Sequence, residues 1–122
     1  MPGKFSAEKP IYAQLVERLQ MRIVTGGYPP GSRLSAVREL AEEAGVNPNT
    51  MQRALSELEV RGLLYTLRTS GRFVTEDADR IARVREELAR EKIGRFLSEM
   101  EELGIQRSAV KALLEKEEST NE

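Results

Sequence analysis

No cysteine and no histidine occur among the 122 residues. Without cysteine there is no disulfide framework and no thiolate metal site, and the absence fits a reducing compartment. Without histidine the chain lacks the commonest general base, the usual activator of a nucleophile and the usual transition-metal ligand. No apolar run approaches the length of a membrane span, and the start does not read as a signal peptide. A cytoplasmic location and no membrane partner are expected. The glycines at 26, 27, 31 and 71 form no phosphate loop, because no Gly-Lys-Ser/Thr follows a strand. No catalytic constellation is present, so an enzyme is not expected, and neither is a cofactor.

What remains is enough for one compact domain with a small appendage. Hydrophobic residues make up 39 % of the chain, sufficient for a buried core. The net charge of −1 conceals two unlike halves. Residues 1–75 carry 10 basic and 7 acidic side chains, whereas residues 76–122 carry 9 and 13. A basic front and an acidic rear suggest different partners for each.

Hydrophobic spacing divides the chain into elements. Residues 1–9 read as a loose arm. Pro10 opens a helix that runs to about residue 25, with Ile11, Leu15, Leu19 and Ile23 on one stripe. The run Gly26-Gly27-Tyr28-Pro29-Pro30-Gly31 stops it. Ser35 is a candidate cap for a short helix over residues 36–44, with Val37, Leu40 and Ala41 facing inward. A third helix follows a turn at Gly45 and ends at Gly62. Two β-prone segments, 63–67 and 72–75, flank Arg68-Thr69-Ser70-Gly71, which reads as a hairpin turn. A lone hairpin is not stable in water, so it must pack on the helices. The expected fold class is mainly α with a small β-hairpin wing: a winged helix-turn-helix over residues 1–76, then a two-helix dimerisation tail over residues 77–122.

The stretch Gly45-Val46-Asn47-Pro48-Asn49-Thr50-Met51-Gln52-Arg53-Ala54-Leu55 carries the most information. Asn47 suits a cap and Pro48 the first helical position, where a missing N–H costs nothing. At about 100° per residue, Met51, Ala54, Leu55 and Leu58 share one side, and Asn49, Gln52, Arg53 and Ser56 share the other. A face of amides, a hydroxyl and a guanidinium suits the edges of bases in the major groove. Gln pairs best with adenine and Arg with guanine. The plain alternative is an ordinary solvated helix face.

In these segments the chain resembles the GntR-type bacterial transcription regulators. The resemblance rests on Pro10-Ile11-Tyr12, Pro30-Gly31-Ser32-Arg33-Leu34, Val37-Arg38-Glu39-Leu40-Ala41, Gly45-Val46-Asn47-Pro48-Asn49-Thr50, Leu58-Glu59-Val60-Arg61-Gly62-Leu63 and Gly71-Arg72-Phe73-Val74. The short tail is similar to that of the YtrA-like subfamily. The resemblance implies a dimer joined through the tail and a repressor of transcription. It implies that Arg38 contacts the groove and phosphates, and that Asn47, Asn49 and Thr50 approach bases and backbone. Gln52, Arg53 and Ser56 continue that surface. Gly71, with Ser70 at the hairpin tip, implies entry of the wing into the minor groove. Two departures stand out. Leu34-Ser35-Ala36 lacks the proline common before the second helix, and Thr69-Ser70-Gly71-Arg72 replaces a Gly-x-Gly-Thr wing.

Alternatives stay open at several positions. Arg38 is placed either to reach DNA or to pair with Glu42, four residues on. Arg68 and Arg72 serve phosphate or minor-groove binding, or only solubility. Arg33 and Lys4 are weaker candidates.

The tail reads as one charged helix over residues 79–103 and a second over residues 106–118, with residues 117–122 fraying. Ile81, Val84, Leu88, Ile93, Phe96, Leu97, Met100 and Leu103 form a broad apolar band, joined by Val110, Leu113 and Leu114. One short helix cannot cover so wide a band, so a second copy of the chain is the expected partner; folding back onto the first helix is the rival. The acid clusters Glu86-Glu87, Glu101-Glu102 and Glu115 with Glu117-Glu118 are interspersed with Arg and Lys. They read as a solvated face, not a metal site.

The function expected is therefore a DNA-binding repressor reading a near-palindromic operator as a homodimer. The alternative is a protein-interaction adaptor with a structural helix-turn-helix and an acidic tail. A small-molecule effector is a further partner the sequence does not name.

Overall fold

A computed structural model describes residues 4–121; Met1–Gly3, Glu122 and the side chains of Thr120 and Asn121 lie outside the description. Among the described residues five helices and one hairpin follow each other as α1 (Ile11–Val24), α2 (Val37–Ala44), α3 (Pro48–Val60), β1 (Leu64–Leu67), β2 (Gly71–Val74), α4 (Ala78–Glu102) and α5 (Arg107–Asn121). This is a winged helix-turn-helix followed by two helices. The chain divides into two compact units, Met1–Val84 and Arg85–Glu122. The first turns of α4 belong to the first unit, where Ile81 and Val84 are buried.

In the first unit α1 and α2 both pack on α3, which also meets β1. The core is apolar and aliphatic: Leu15, Leu19 and Ile23 from α1, Met51, Leu55 and Leu58 from α3, then Leu63 and Val74, all fully buried. Each such side chain contributes about 1.5–3 kcal/mol by leaving water. Ile11, on the same sequence stripe as Leu15, stays exposed because it lies in the first turn, beyond the packed part of α1. On α2 the buried residues are Leu40, Ala41 and Ala44, and Val37 is only half-buried.

Local chemistry explains the boundaries. Asn47 caps α3 through its side-chain oxygen, which accepts from the Asn49 N–H at 2.7 Å, with Pro48 at the first turn. Between α2 and α3 the backbone must reverse, and Gly45 does so at φ 69°, ψ 35°. An L side chain rarely adopts that conformation. Ser35 does not cap α2. The residue at that place is Ala36, without a side-chain hydrogen bond, because the helix starts at Val37.

The wing is larger than a hairpin. Leu64 pairs with Val74 and Leu67 with Gly71 in antiparallel register. The free edge of β2 is then taken by residues 31–34, through a bridge between Arg33 and Phe73. Leu34 N–H donates to the Arg72 carbonyl at 2.9 Å, and Val74 N–H to the Ser32 carbonyl at 2.9 Å. This third edge ties the wing to the approach to α2 and leaves fewer unpaired groups on the hairpin.

The expected loose arm is tied down from residue 4 onward. The Gln14 side chain accepts from Ser6 N–H at 2.7 Å and donates to the Ser6 carbonyl at 2.7 Å. Arg18 lies 4.0 Å over the Phe5 ring, and Lys9 pairs with Glu17 at 2.8 Å. One buried amide thus gives the arm a two-way backbone partner. Residues 1–3 of the expected arm are outside the described residues.

In the second unit α4 ends in a turn at Gly104, where Ile105 N–H reaches back to the Met100 carbonyl at 2.9 Å. Helix α5 runs to Asn121, so residues 117–121 are helical where fraying is expected from the sequence.

Candidate nucleic-acid interface

Helix α3 presents the polar face that its spacing predicts. Asn49, Gln52, Arg53 and Ser56 are exposed, whereas Met51, Ala54, Leu55 and Leu58 are buried. Gln52 donates to the Ser56 hydroxyl at 3.2 Å, a weak tether that aligns the two along one strip. Arg53 does not extend freely. Its guanidinium carbon lies 3.5 Å from the centre of the Tyr12 ring, near the start of α1. Ile11, Tyr12, Asn49, Thr50 and Arg53 line a cleft of about 370 Å³ at this junction. Among the described residues no carboxylate lines it.

Asn47 is committed to its cap. The side-chain oxygen is occupied by Asn49 N–H, so its amide nitrogen is the part left to face a ligand. Thr50 is half-buried beside the cleft. Arg38 is exposed on α2 and, among the described residues, has no hydrogen-bond or ion-pair partner; the alternative bridge to Glu42 does not form. Its charge faces solvent.

The wing residues separate into two groups. Arg68 and Ser70 are exposed at the tip. Arg72 is not: its side chain is 16 % exposed and its Nε donates to Glu59 at 2.8 Å. The Thr66 hydroxyl donates to the same Glu59 oxygen. Burial pushes the Glu59 carboxyl up, but the hydrogen bonds from Thr66 and Arg72 and the nearby guanidinium charge outweigh it, and the group sits below its ordinary range. Arg72 therefore fastens the wing to the end of α3. Gly71 has φ 108°, and a Cβ there would lie 2.9 Å from the Arg33 guanidinium. The glycine permits that close approach.

Three participants were not legible as such from spacing: Tyr12, Glu59 and Gln14. Tyr12 lies inside Pro10-Ile11-Tyr12, but nothing in one sequence says that its ring meets α3. Among the described residues no helix is long and apolar enough to cross a membrane, and no three acidic side chains gather as a cation site. Glu86 and Glu101 pair instead with Arg90 at 2.7 Å and Arg107 at 3.0 Å.

The sequence profile described as "Bacterial regulatory proteins, gntR family" matches residues 11–74, from the first residue of α1 to the last of β2. The chain belongs to the GntR family. Its tail is matched too. The transcriptional regulator YhcF of Bacillus subtilis is 39 % identical over 105 residues, covering 86 % of this chain and 87 % of that one. The repressor YtrA of the same organism is 41 % identical over 69 residues, 57 % of this chain and 53 % of that one. A GntR family transcriptional regulator from Listeria monocytogenes has 43 % identity and a TM-score of 0.83, covering 92 % of this chain and 98 % of that one. The crystal structure of AraR(DBD) in complex with operator ORX1 is similar at 32 % identity and a TM-score of 0.54, over 62 % of this chain and 92 % of that one. The GntR chain described here is a DNA-binding transcription regulator.

Proposed function

We propose that the chain is a sequence-specific repressor that binds a near-palindromic operator as a homodimer in the cytoplasm. The observation that carries this reading is the outward strip Asn49–Gln52–Arg53–Ser56 on a capped α3, to which α2 adds the exposed charge of Arg38. In this reading α3 enters the major groove. Gln52 and Arg53 read base edges, each worth about 1–3 kcal/mol of discrimination. Arg38 and Arg68 lie on phosphates, and Ser70 and Gly71 carry the wing tip to the minor groove. Repression is supported by the relatives named as repressors, YtrA among them.

The homodimer is supported by apolar surface in the second unit. Ile93 is 56 % exposed, Leu103 70 % and Leu114 50 %, and Phe96 and Leu113 are also exposed. Leu88, Leu97 and Met100 are half-buried. Ile81, Val84 and Val110, expected in the same seam, are already buried within one chain and have little surface left to offer a partner. Helices that expose this many large aliphatic side chains gain by covering them. Two copies place two α3 helices on half-sites about 34–36 Å apart, one helical turn of DNA.

The test is selection of bound fragments from the source genome with the purified full chain, followed by sedimentation of the complex. Two protomers per enriched duplex, with affinity falling steeply in salt, are expected. No enrichment, or one protomer per duplex, contradicts the proposal.

A further inference from the structure

The stack of Arg53 on Tyr12 does more than fill space. We infer that Tyr12 is a positioning residue for DNA recognition: its ring holds the Arg53 guanidinium in the orientation from which it reads the major groove. This rests on the operator-binding reading above.

Arg53 is exposed in the middle of a recognition surface, where a long side chain ordinarily samples many rotamers. Here its guanidinium carbon is 3.5 Å from the Tyr12 ring centre, well inside the roughly 6 Å reach of a cation–π contact. Among the described residues Arg53 has no hydrogen-bond acceptor and no ion-pair partner, so the ring is what holds it. A stacked guanidinium has one flat face covered. Its N–H donors lie in the plane and stay free, and those are the atoms that form a two-pronged contact with guanine O6 and N7 or with a phosphate.

The platform is itself well supported. Tyr12 is the second residue of α1, and three residues on Leu15 is fully buried against the core. Pro10 precedes α1 at φ −55°, and its carbonyl accepts from Ala13 and Gln14 at 3.2 and 3.3 Å. The ring thus stands on a rigid helix start facing the start of α3. The lining of the adjoining cleft is uncharged apart from Arg53, so no acid competes with DNA for the guanidinium.

The experiment uses the full chain and four variants: Tyr12→Leu, Tyr12→Phe, Arg53→Ala and Tyr12→Leu/Arg53→Ala. Fluorescence anisotropy compares an operator fragment from the genomic selection with an unrelated duplex of equal length. Circular dichroism checks that each variant folds. Tyr12→Leu is expected to weaken operator binding about two- to fivefold, the size of an exposed cation–π contact. It should leave the unrelated duplex unchanged. Tyr12→Phe should match the wild type, because the ring face is kept. In the Arg53→Ala background Tyr12→Leu should cost nothing further. Equal costs in both backgrounds overturn the inference, as does Tyr12→Phe failing like Tyr12→Leu. In the free protein the Arg53 side-chain protons should show an upfield ring-current shift that Tyr12→Leu abolishes; ordinary shifts also overturn it. Wild-type protein indifferent to every duplex removes the operator-binding reading and this inference with it. Wild-type binding with an unaffected Tyr12→Leu variant removes the inference alone.

Discussion

Glu59 is the joint between the recognition helix and the wing, and replacing it with alanine tests the packing logic of the first unit. The carboxylate sits in the last turn of α3 and receives both Arg72 Nε and the Thr66 hydroxyl. Glu59 is 31 % exposed and Arg72 16 %, so the pair is screened, but less than a surface pair. Charge-assisted hydrogen bonds contribute about 1.5–3 kcal/mol when protected, and exposed ion pairs about 0.2–1 kcal/mol. The Glu59–Arg72 coupling should fall between them, at about 1 kcal/mol, which lowers the melting temperature of a domain this size by about 4–8 °C. Thermal unfolding of Glu59→Ala, Arg72→Ala and the double variant, followed by circular dichroism, measures it as a double-mutant cycle. Strictly additive single effects refute the reasoning.

The same pair has a pH signature. The folded-state carboxyl of Glu59 lies below its unfolded value, which is about 4.3. Its contribution is therefore fully present above the unfolded value and is lost as pH falls through the lower folded one. The stability difference between wild type and Glu59→Gln should be constant near neutrality and shrink below about pH 4. A difference that grows on acidification contradicts the assignment.

Three further outcomes follow from the geometry. Asn47→Ala removes the α3 cap and should cost about 0.5–2 kcal/mol in urea unfolding, with Asn47→Asp largely restoring it; an unchanged midpoint counts against the cap. Gly71→Ala meets both a φ of 108° and the Arg33 guanidinium at 2.9 Å, so it should destabilise the wing by about 1–2 kcal/mol and speed amide exchange in β2. Ile93→Glu with Leu114→Glu places charge on the exposed tail surface. Sedimentation should then report monomer with an unchanged melting curve for the first unit, and a persistent dimer argues that another surface joins the copies.

Much of this was legible from residue order because local and global signals agree. Asn47, Pro48 and the Met51–Leu55–Leu58 spacing define α3 without tertiary help, and Gly45 marks a turn that other residues strain to make. Apart from Pro10, the GntR segments quoted from the sequence lie in the stretch that the family profile covers. What escaped was set by contacts distant along the chain. The edge formed by residues 31–34 on β2 has no β-like composition and exists because unpaired strand groups lie beside it. Ser35 reads as a cap, yet the helix begins two residues later. Arg72 looks like a free cation at the tip, yet Glu59, thirteen residues earlier, holds it. Gln14 reads as a helix residue, yet its amide pins the arm. Spacing placed Ile81 and Val84 with the tail seam. Both are buried within the first unit, where tertiary packing and not helical spacing decides their partners.

The measurement that bears most directly on the central claim is operator discrimination by the Gln52→Ala/Arg53→Ala variant. Anisotropy titrations compare an operator fragment with an unrelated duplex at fixed salt. If these side chains read base edges, the double variant should lose about 2–6 kcal/mol of discrimination, at about 1–3 kcal/mol per contact, while its salt-dependent binding to unrelated DNA persists. Discrimination equal to wild type contradicts the account.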